Sequence, residues 1–299
     1  MSLLTIVIPC YNEEENIPVF FPELLKFAKE HDFKVIAVND GSKDATAQEL
    51  EKFSGEECLQ VLTHKCNRGY GGAIKSGLHA VKTEYAITID SDGQHRLEDV
   101  LACLEKIQKS NADMVVGSRL NNESGGYRTL GKWLIRSFAS SLLKLPVKDL
   151  NSGMKCYRMR ETVDYIDLCP DTMAYSDCIL LLLVNDHKLV AEVPIEIAPR
   201  KAGKSTIGTK TAIITLAEIL NLAVLLRPLT TFCRLAALFF VLGLGWGIFI
   251  YIRARVVTSL TVMLIMLGVL SVMLGLLCEQ LSQIRLANAR QNRFSDNGK

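Results

Sequence analysis

Two almost uncharged stretches near the carboxyl end constrain the fold of this chain more than any other feature. They cover residues 229–252 and 259–278, and Arg234 is the only charged residue in either. Each is about as long as the roughly 20 residues that a helix needs to cross a bilayer. Two consecutive helices that are apolar on every side are rare in a small soluble core, so two buried core helices are the weaker alternative. The sequence therefore predicts a transmembrane hairpin.

Basic residues around the two stretches predict how the hairpin is oriented. The connecting loop carries only Arg253 and Arg255, whereas both flanks are richer in basic residues. These are Arg200, Lys201, Lys204 and Lys210 before the hairpin, and Arg285, Arg290, Arg293 and Lys299 after it. Because basic flanks stay on the cytosolic side, we expect both ends of the hairpin in the cytosol. Residues 1–5 lack the basic segment of a signal peptide, so we expect an integral membrane protein whose amino-terminal domain is cytosolic.

The amino-terminal two thirds of the chain alternate between short apolar segments and helical patterns. The apolar segments are residues 5–9, 35–38, 59–62, 85–89 and 114–116, and the helical patterns are 45–53, 69–81 and 97–108. This alternation is typical of a doubly wound α/β domain, whose mostly parallel sheet is covered by helices on both faces. Helices at 130–143 and 176–185 and a strand at 190–197 complete the predicted domain. Ligands of such domains bind at the carboxyl ends of the strands.

A narrow polar stripe marks the segment just before the hairpin. Its polar members, spaced as on one face of a helix, are Thr211, Thr215, Glu218 and Asn221. The segment is too short and too polar to span a bilayer, which favours an amphipathic helix at the membrane interface. A buried amphipathic helix of the soluble domain is the alternative. The sequence thus predicts three parts: a globular domain at 1–206, an interfacial helix within 207–228, and the hairpin with a cytosolic tail at 229–299.

Two acidic residues follow the apolar segment 86–89, and they are the strongest candidates for a binding site. Asp90 and Asp92 are separated by one residue. Side chains at positions i and i+2 of a strand share a face, so both carboxylates can turn toward one cation. Carboxylate oxygens favour Mg²⁺ or Mn²⁺ over zinc, and a cation at this edge is well placed to bind a nucleotide diphosphate. The alternative is that one Asp caps the next helix and the other is a solvated turn residue.

Composition argues against two other classes of function. The nine cysteines form no C-x-x-C pair, and Cys10, Cys103 and Cys178 lie among apolar neighbours, so we expect reduced core residues rather than a metal or redox site. The net charge of +2 and the lack of a basic stripe with interleaved aromatic residues predict that the chain does not bind nucleic acid.

Seven short motifs occur in a fixed order along the chain. They are Pro9-x-Tyr11-Asn12-Glu13-Glu14, Asp40-Gly41-Ser42-x-Asp44, Asn67-x-Gly69-x-Gly71, Asp90-x-Asp92-x-Gln94-His95, Gly117-Ser118-Arg119, Asp149-x-x-Ser152-Gly153, and Val193-Pro194 followed by Arg200-x-x-Gly203-x-Ser205. Together they resemble family-two glycosyltransferases of the GT-A fold. The resemblance is greatest to the membrane enzymes that transfer a sugar to a polyprenyl phosphate, the dolichyl-phosphate mannose and undecaprenyl-phosphate glucose synthases, and it covers about residues 3–206.

The resemblance implies roles for particular residues of this chain. The base and ribose of the donor would be held by Pro9, Tyr11, Glu13 and Asp40. The metal and diphosphate would be held by Asp90, Asp92 and Gln94, with Asp92 essential for catalysis. The donor or acceptor phosphates would meet Arg119 and Arg136. Two positions depart from the family's pattern: Asn39 stands where a second Asp is usual, and Arg96 where Pro commonly follows the His.

The expected reaction is inverting transfer of one hexose from a donor of the GDP-mannose or UDP-glucose type to polyprenyl phosphate at the cytosolic membrane face. A phosphate monoester is largely dianionic at neutral pH, so this acceptor needs no general base. It does need cationic positioning, for which Arg119 and Arg136 are favoured and Arg128 and Arg200 stay open. A processive polysaccharide synthase and a non-catalytic sensor of nucleotide sugars are the alternatives. Membrane lipids are expected partners, and a homo-oligomer is left open.

Overall fold

The computed structural model of the chain describes residues 2–119, 147, 149–150, 152–196 and 227–296, and only the helical backbone over 285–296. The chain divides into two compact units, Met1–Thr211 and Ala212–Lys299, and each is described by itself. The predicted helices at 130–143 and 211–226 lie outside the described residues. The division of the chain at 206 and 228 therefore stays a prediction.

A seven-stranded sheet forms the centre of the first unit. Its strands are β1 (Leu4–Cys10), β2 (Lys34–Asn39), β3 (Leu59–Thr63), β4 (Tyr85–Thr88), β5 (Met114–Arg119), β6 (Lys155–Arg158) and β7 (Val190–Ile195). They lie side by side in the order β3-β2-β1-β4-β6-β5-β7. All neighbouring pairs are parallel except those of β6, which is antiparallel to both β4 and β5. This arrangement confirms the predicted doubly wound, mostly parallel α/β fold.

Helices cover both faces of this sheet. They are α1 (Ile17–Glu30), α2 (Thr46–Glu51), α3 (Tyr70–His79), α4 (Leu97–Ser110), α5 (Met159–Ile166) and α6 (Tyr175–Asn185). Alternate residues of β1, such as Ile6 and Ile8, share a buried cluster with apolar residues of α1 and α4. Val7 points to the other face, where Gly77 of α3 packs against it. Side chains alternate between the two faces of a strand, and helices bury both faces of this sheet. Strand β1 is therefore apolar on both faces.

Most of the predicted elements are confirmed, with ends shifted by up to three residues. Three elements were not predicted from the sequence: α1, β6 and α5. Helix α1 carries Pro18 in its first turn and Pro22 inside it, and proline is a poor helix residue beyond the first turn. Strand β6 has four residues and begins with a lysine, so it lacks the apolar run of a central strand.

The second unit contains the two apolar helices expected from the sequence. Helices α7 (Pro228–Ala254) and α8 (Ser259–Asp296) include candidate spans of 27 and 26 residues, the second being Ser259–Ile284. Glycines on one helix face larger side chains on the other: a Cβ at Gly268 would lie 2.8 Å from the ring of Phe240, and one at Gly275 would lie 2.8 Å from Phe232. Small residues let apolar helices approach closely where no hydrophobic effect drives them together.

The contact between α3 and the sheet leads to the first prediction. A Cβ at Gly77 would overlap Cγ1 of Val7, a stiff and fully buried side chain. Val is the better helix former of the two, so a loss of stability in Gly77→Val would come from overpacking, and we expect the free energy of unfolding to fall by about 1–3 kcal/mol. The matched control is Gly55→Val, since nothing lies within 4 Å of a Cβ at Gly55. Thermal unfolding followed by circular dichroism measures both, and equal melting temperatures would contradict the packing described here.

Candidate functional site

The candidate site lies at the carboxyl ends of the parallel strands, where loops after β1, β2, β4 and β5 meet. The loops after β1 and β2 are joined by a set of hydrogen bonds. Ser42 Oγ accepts from Asn12 N (3.1 Å), Asn12 Oδ1 accepts from Lys43 N (2.9 Å), and Thr46 Oγ1 accepts from Glu13 N (2.8 Å). Asn12 is in the left-handed region with φ of 55°, which Asn tolerates better than most residues. These bonds join residues 12–13 and 42–46 into one preformed surface, which we call the ledge.

The first three predicted donor-binding residues lie on or beside this ledge. Pro9 is within β1 and pairs with Val38 in the sheet register. Tyr11 is 42 % exposed, so its ring is accessible at the edge. Glu13 accepts a hydrogen bond from Asn16 Nδ2 at 2.5 Å, which engages one of its carboxylate oxygens. Their roles in holding a base and ribose stay predictions.

Asp40, the fourth predicted donor-binding residue, is buried and already well engaged. Its carboxylate accepts hydrogen bonds from the backbone N–H groups of Arg68 (2.9 Å) and Gly69 (2.8 Å), and His64 Nδ1 lies 2.6 Å from its Oδ1. Asp40 thus anchors the glycine-containing loop that leads into α3. Gly41 has φ of +65° and a Cβ there would lie 2.5 Å from the backbone of Cys66, so only glycine suits this close approach.

Asp90 and Asp92 follow strand β4 rather than lying on it, and Asp92 is in the turn, which corrects the local geometry expected from the sequence. Strand β4 ends at Thr88, and Gly93 in the turn has φ of +67°. Asp92 Oδ1 accepts a hydrogen bond from Gln94 N at 3.1 Å, and Asp92 is buried. Because both residues lie beyond the last residue of β4, the alternation of a strand does not orient their side chains, and the expected i and i+2 geometry is wrong. Their placement at the carboxyl end of β4 agrees with the prediction.

The surroundings of Asp90 favour its ionised form. Tyr70 donates a hydrogen bond to Oδ1 at 3.2 Å, and His95 Nε2 lies 3.3 Å from Oδ2. Burial by itself would raise the pKa of Asp90, but the hydrogen bond and charge of His95, the Tyr70 hydroxyl and the charge of Arg119 hold the pKa below its ordinary value. The carboxylate is therefore available as an anionic ligand, and its side chain is 38 % exposed.

The donor set at this turn fits Mg²⁺ or Mn²⁺. Among the described residues, no three carboxylate, imidazole or thiol groups converge as a complete cation site. Mg²⁺ is ordinarily bound by one or two carboxylates together with substrate phosphates, rather than by a cage of protein ligands. The two carboxylates of Asp90 and Asp92, with the amide oxygen of Gln94 nearby in sequence, match that pattern of oxygen ligands.

Arg119 at the end of β5 is held by an ion pair. Its Nε donates to Oδ2 of Asp149 at 2.5 Å and its Nη2 to Oδ1 at 2.9 Å. Burial would raise the pKa of Asp149, but the hydrogen bonds and charge of Arg119 lower it below its ordinary value. Two of the five guanidinium N–H donors are thus committed to Asp149, which fixes the plane of the group. The predicted phosphate contact of Arg119 stays a prediction.

Sequence profiles of protein families match two parts of the chain. Residues 5–164 match "Glycosyl transferase family 2", and residues 227–284 match "GtrB C-terminal hairpin". The first match covers more than half of the sequence and contains the turn with both carboxylates. The chain belongs to glycosyl transferase family 2. The hairpin match coincides with α7 and the apolar part of α8, which together indicate a membrane protein.

Three similar proteins are named as dolichyl-phosphate or undecaprenyl-phosphate sugar transferases. The chain is 28 % identical over 64 % of its length to a dolichyl-phosphate beta-glucosyltransferase of Dictyostelium discoideum, and 30 % identical over 64 % to one of Trichomonas vaginalis. Each of these matches spans 65 % of the relative. An undecaprenyl-phosphate 4-deoxy-4-formamido-L-arabinose transferase of Proteus mirabilis is 26 % identical over 95 % of this chain and 90 % of its own length.

Solved structures confirm the GT-A fold. Glucosyl-3-phosphoglycerate synthase of Mycobacterium tuberculosis superposes with a TM-score of 0.58 over 74 % of this chain and 80 % of that chain, at 16 % identity. The same enzyme in complex with Mn²⁺, UDP and its product gives a TM-score of 0.55 at 17 % identity. At this level of identity, the likeness shows the arrangement of the chain and nothing about substrate.

One residue of this family-two domain was missed from the sequence. Lys155 at the start of β6 is fully buried, and its ammonium donates to the carbonyl oxygens of Leu150 (3.1 Å) and Ser152. Burial lowers the pKa of Lys155 to about 8, opposed by the charges of Asp177 and Asp149. The available signal for a buried lysine was its position between Met154 and Cys156. The segment is too short to show the periodicity of a strand. The predicted Arg136, and Arg128 and Arg200, lie outside the described residues.

The ion pair of Arg119 leads to the second prediction. Asp149→Asn leaves a mostly buried guanidinium without its anionic partner, so we expect a loss of about 3 kcal/mol in the free energy of unfolding at pH 7. Because the folded pKa of Asp149 is lowered, its contribution is present above the unfolded pKa near 3.9 and is lost as pH falls through the folded value. The difference in melting temperature between parent and variant should therefore shrink below about pH 4.

The control for this prediction is Glu105→Gln, which removes an exposed ion pair to Lys109. That variant should unfold at nearly the parental temperature, since exposed pairs contribute little. Thermal unfolding in detergent from pH 3 to pH 7 measures all three proteins. A difference between parent and Asp149→Asn that stays constant over this range would show that the Asp149 charge does not stabilise the fold.

Proposed function

We propose that this protein transfers one hexose, with inversion, from a nucleotide diphosphate sugar to polyprenyl phosphate at the cytosolic face of a membrane. The observation that carries this proposal is the Asp90 carboxylate, held by Tyr70 and His95 beside Asp92 at the carboxyl end of β4, in a family-two domain followed by an apolar hairpin. The names of the relatives supply the acceptor class, since they are dolichyl-phosphate and undecaprenyl-phosphate sugar transferases. A donor of the GDP-mannose or UDP-glucose type suits the site.

The donor would lie between the ledge and the turn after β4. Tyr11 is exposed and would offer an aromatic face to the base, and Pro9, Glu13 and Asp40 would complete the site for the base and ribose. Asp90, Asp92 and Gln94 would hold Mg²⁺ or Mn²⁺. When bound, such a cation neutralises the charge that develops on the departing diphosphate. His95 and Tyr70 orient Asp90 and keep its charge, so the turn is organised before the donor binds.

The acceptor supplies its own nucleophile. Polyprenyl phosphate is mostly a dianion at neutral pH, so one of its oxygens can attack the anomeric carbon directly while the diphosphate leaves from the opposite side. The protein then has to orient two phosphates that repel each other. Arg119, whose plane is fixed by Asp149, and Arg136 would supply that positive charge, because guanidinium groups make planar, bidentate contacts to phosphate.

The hairpin explains where such an acceptor would be met. A polyprenyl chain stays in the bilayer and offers only its phosphate at the interface, so the enzyme has to work there. We propose that α7 and α8 span the membrane with both ends cytosolic, and that residues 207–228 form an amphipathic helix at the membrane interface. Membrane lipids are then obligatory partners, and self-association through the hairpin is compatible with this arrangement.

A direct assay tests the function. Membranes containing the full chain are given Mn²⁺, a labelled nucleotide sugar (UDP-glucose or GDP-mannose) and undecaprenyl or dolichyl phosphate. We expect a lipid product that carries one sugar and releases it under mild acid. A product with many sugars would instead support a processive synthase. Nucleotide-sugar binding with no transfer to either lipid, from any donor tried, would support a non-catalytic sensor.

The third prediction concerns the metal site. Asp92→Asn removes an anionic ligand without opening a cavity, so we expect transfer to fall by at least about 100-fold with an unchanged circular dichroism spectrum. The matched control is Asp32→Asn, because Asp32 follows α1 and has φ of 52°, where Asn is well tolerated. The control should transfer sugar at the parental rate. Near-parental transfer by Asp92→Asn in saturating Mn²⁺ would remove Asp92 from the site.

The fourth prediction separates the acceptor from the donor. Arg136→Ala should raise the KM for polyprenyl phosphate about tenfold or more while changing nucleotide affinity by less than about threefold, since its proposed partner is the acceptor phosphate. Arg160→Ala, on the surface helix α5, is the control for removal of an arginine and should change neither. Calorimetry with the nucleotide and kinetics against the lipid give the two values. Equal losses in both would assign Arg136 to the donor side.

A further inference from the structure

A fully buried lysine, Lys155, contacts the loop that precedes β6. The described residues of this loop are 149–150 and 152–154. Lys155 donates to the carbonyl oxygens of Leu150 and Ser152, both of which lie in this loop. A buried ammonium is costly unless it is hydrogen-bonded or paired, so this arrangement calls for an explanation beyond packing.

The two ends of this loop contact the two charged parts of the candidate site. Asp149 at one end holds the guanidinium of Arg119 through two hydrogen bonds. Gly153 at the other end packs against Asp90 so closely that a Cβ there would lie 2.5 Å from Oδ2. The Gly153 carbonyl oxygen also accepts a hydrogen bond from Thr88 Oγ1 at 2.8 Å, at the last residue of β4.

We propose that Lys155 is a positioning residue, which sets the Asp90 carboxylate and the Arg119 guanidinium in register by bridging the carbonyls of Leu150 and Ser152. Lys155 touches neither substrate nor cation. It acts through Gly153 on Asp90 and through Asp149 on Arg119. The inference rests on the proposed function, since it assigns Asp90 to the cation and Arg119 to phosphate.

Two other roles predict different results on removal of the ammonium. A residue that only stabilises the fold would change the melting temperature and the fraction of active protein, but not the affinities of that active fraction. A residue that only balances the charge of the nearby carboxylates would, when neutralised, leave the site more negative and tighten cation binding. A positioning residue has the opposite sign: its loss should weaken binding of the cation.

The experiment uses the full chain in detergent and compares the parent with Lys155→Met, which keeps most of the volume and removes the charge and the donors. Lys188→Met is the matched control, because Lys188 is half-buried and pairs with Glu161 instead of the loop. Calorimetry measures the affinity for Mn²⁺ with UDP and with GDP. Hydrogen exchange measures the peptide that covers residues 149–154, with peptides from β1 and β2 as internal references.

We expect Lys155→Met to weaken Mn²⁺-dependent nucleotide binding by about 10-fold or more, as is usual when a residue that supports a metal ligand is lost. Exchange in residues 149–154 should rise while β1 and β2 stay protected, and the control should match the parent. Unchanged affinity, or tighter cation binding, would overturn the proposal. If Lys155→Met loses protection throughout the sheet, the same measurements on Lys155→Gln decide. The amide nitrogen of Gln is a donor that helps to keep the fold, but the Gln side chain is too short to bridge both carbonyls, so binding should still weaken.

The proposed function is tested separately by transfer from the parent. A parent that binds Mn²⁺ and nucleotide but transfers no sugar would refute the transferase, yet the binding data would still decide the role of Lys155. A parent that transfers sugar, beside a Lys155→Met variant with parental affinities, would refute the positioning role alone.

Discussion

The antiparallel pairing of β6 with β4 and β5 is the interaction on which the site depends. Lys155 is opposite Thr88 of β4 and Val116 of β5 in the sheet register. A slip of one residue would turn every side chain of β6 to the other face, since side chains alternate along a strand. The ladder therefore decides that Lys155 is buried beside the loop, that Gly153 lies against Asp90, and that Asp149 reaches Arg119.

Charge compensation is the second feature that unites the site. Asp40, Asp90 and Asp149 are carboxylates with low or partial exposure, and each has specific N–H or O–H donors from another part of the chain. Burial alone would favour their neutral forms, whereas these donors keep Asp90 and Asp149 ionised. The same bonds tie loops from separate strands to one another. Electrostatic preorganisation and loop rigidity thus have a common cause.

The two units of the chain follow different packing rules. In the α/β domain, apolar strand residues are buried between helices on both faces, and Gly77 allows α3 to approach Val7. In the hairpin, most of the surface of α7 and α8 is apolar and exposed, and glycines admit aromatic side chains such as Phe240 and Phe232. The first pattern is that of a protein core in water and the second that of helices in lipid.

The sequence by itself determined the class of fold, the two apolar helices and the position of Asp90 and Asp92 at the carboxyl end of a strand. These follow from local periodicity, hydrophobic length and motif order, which need no knowledge of distant contacts. Only the tertiary structure decided that β4 ends before Asp90 and Asp92, that Asp149 holds Arg119, and that Lys155 is buried. The last two facts depend on β6, whose four residues carry too weak a pattern to predict and whose partners lie about 40 to 70 residues away in the chain. Long-range pairing brings β6 between two strands that precede it, and no local property of its sequence specifies that place.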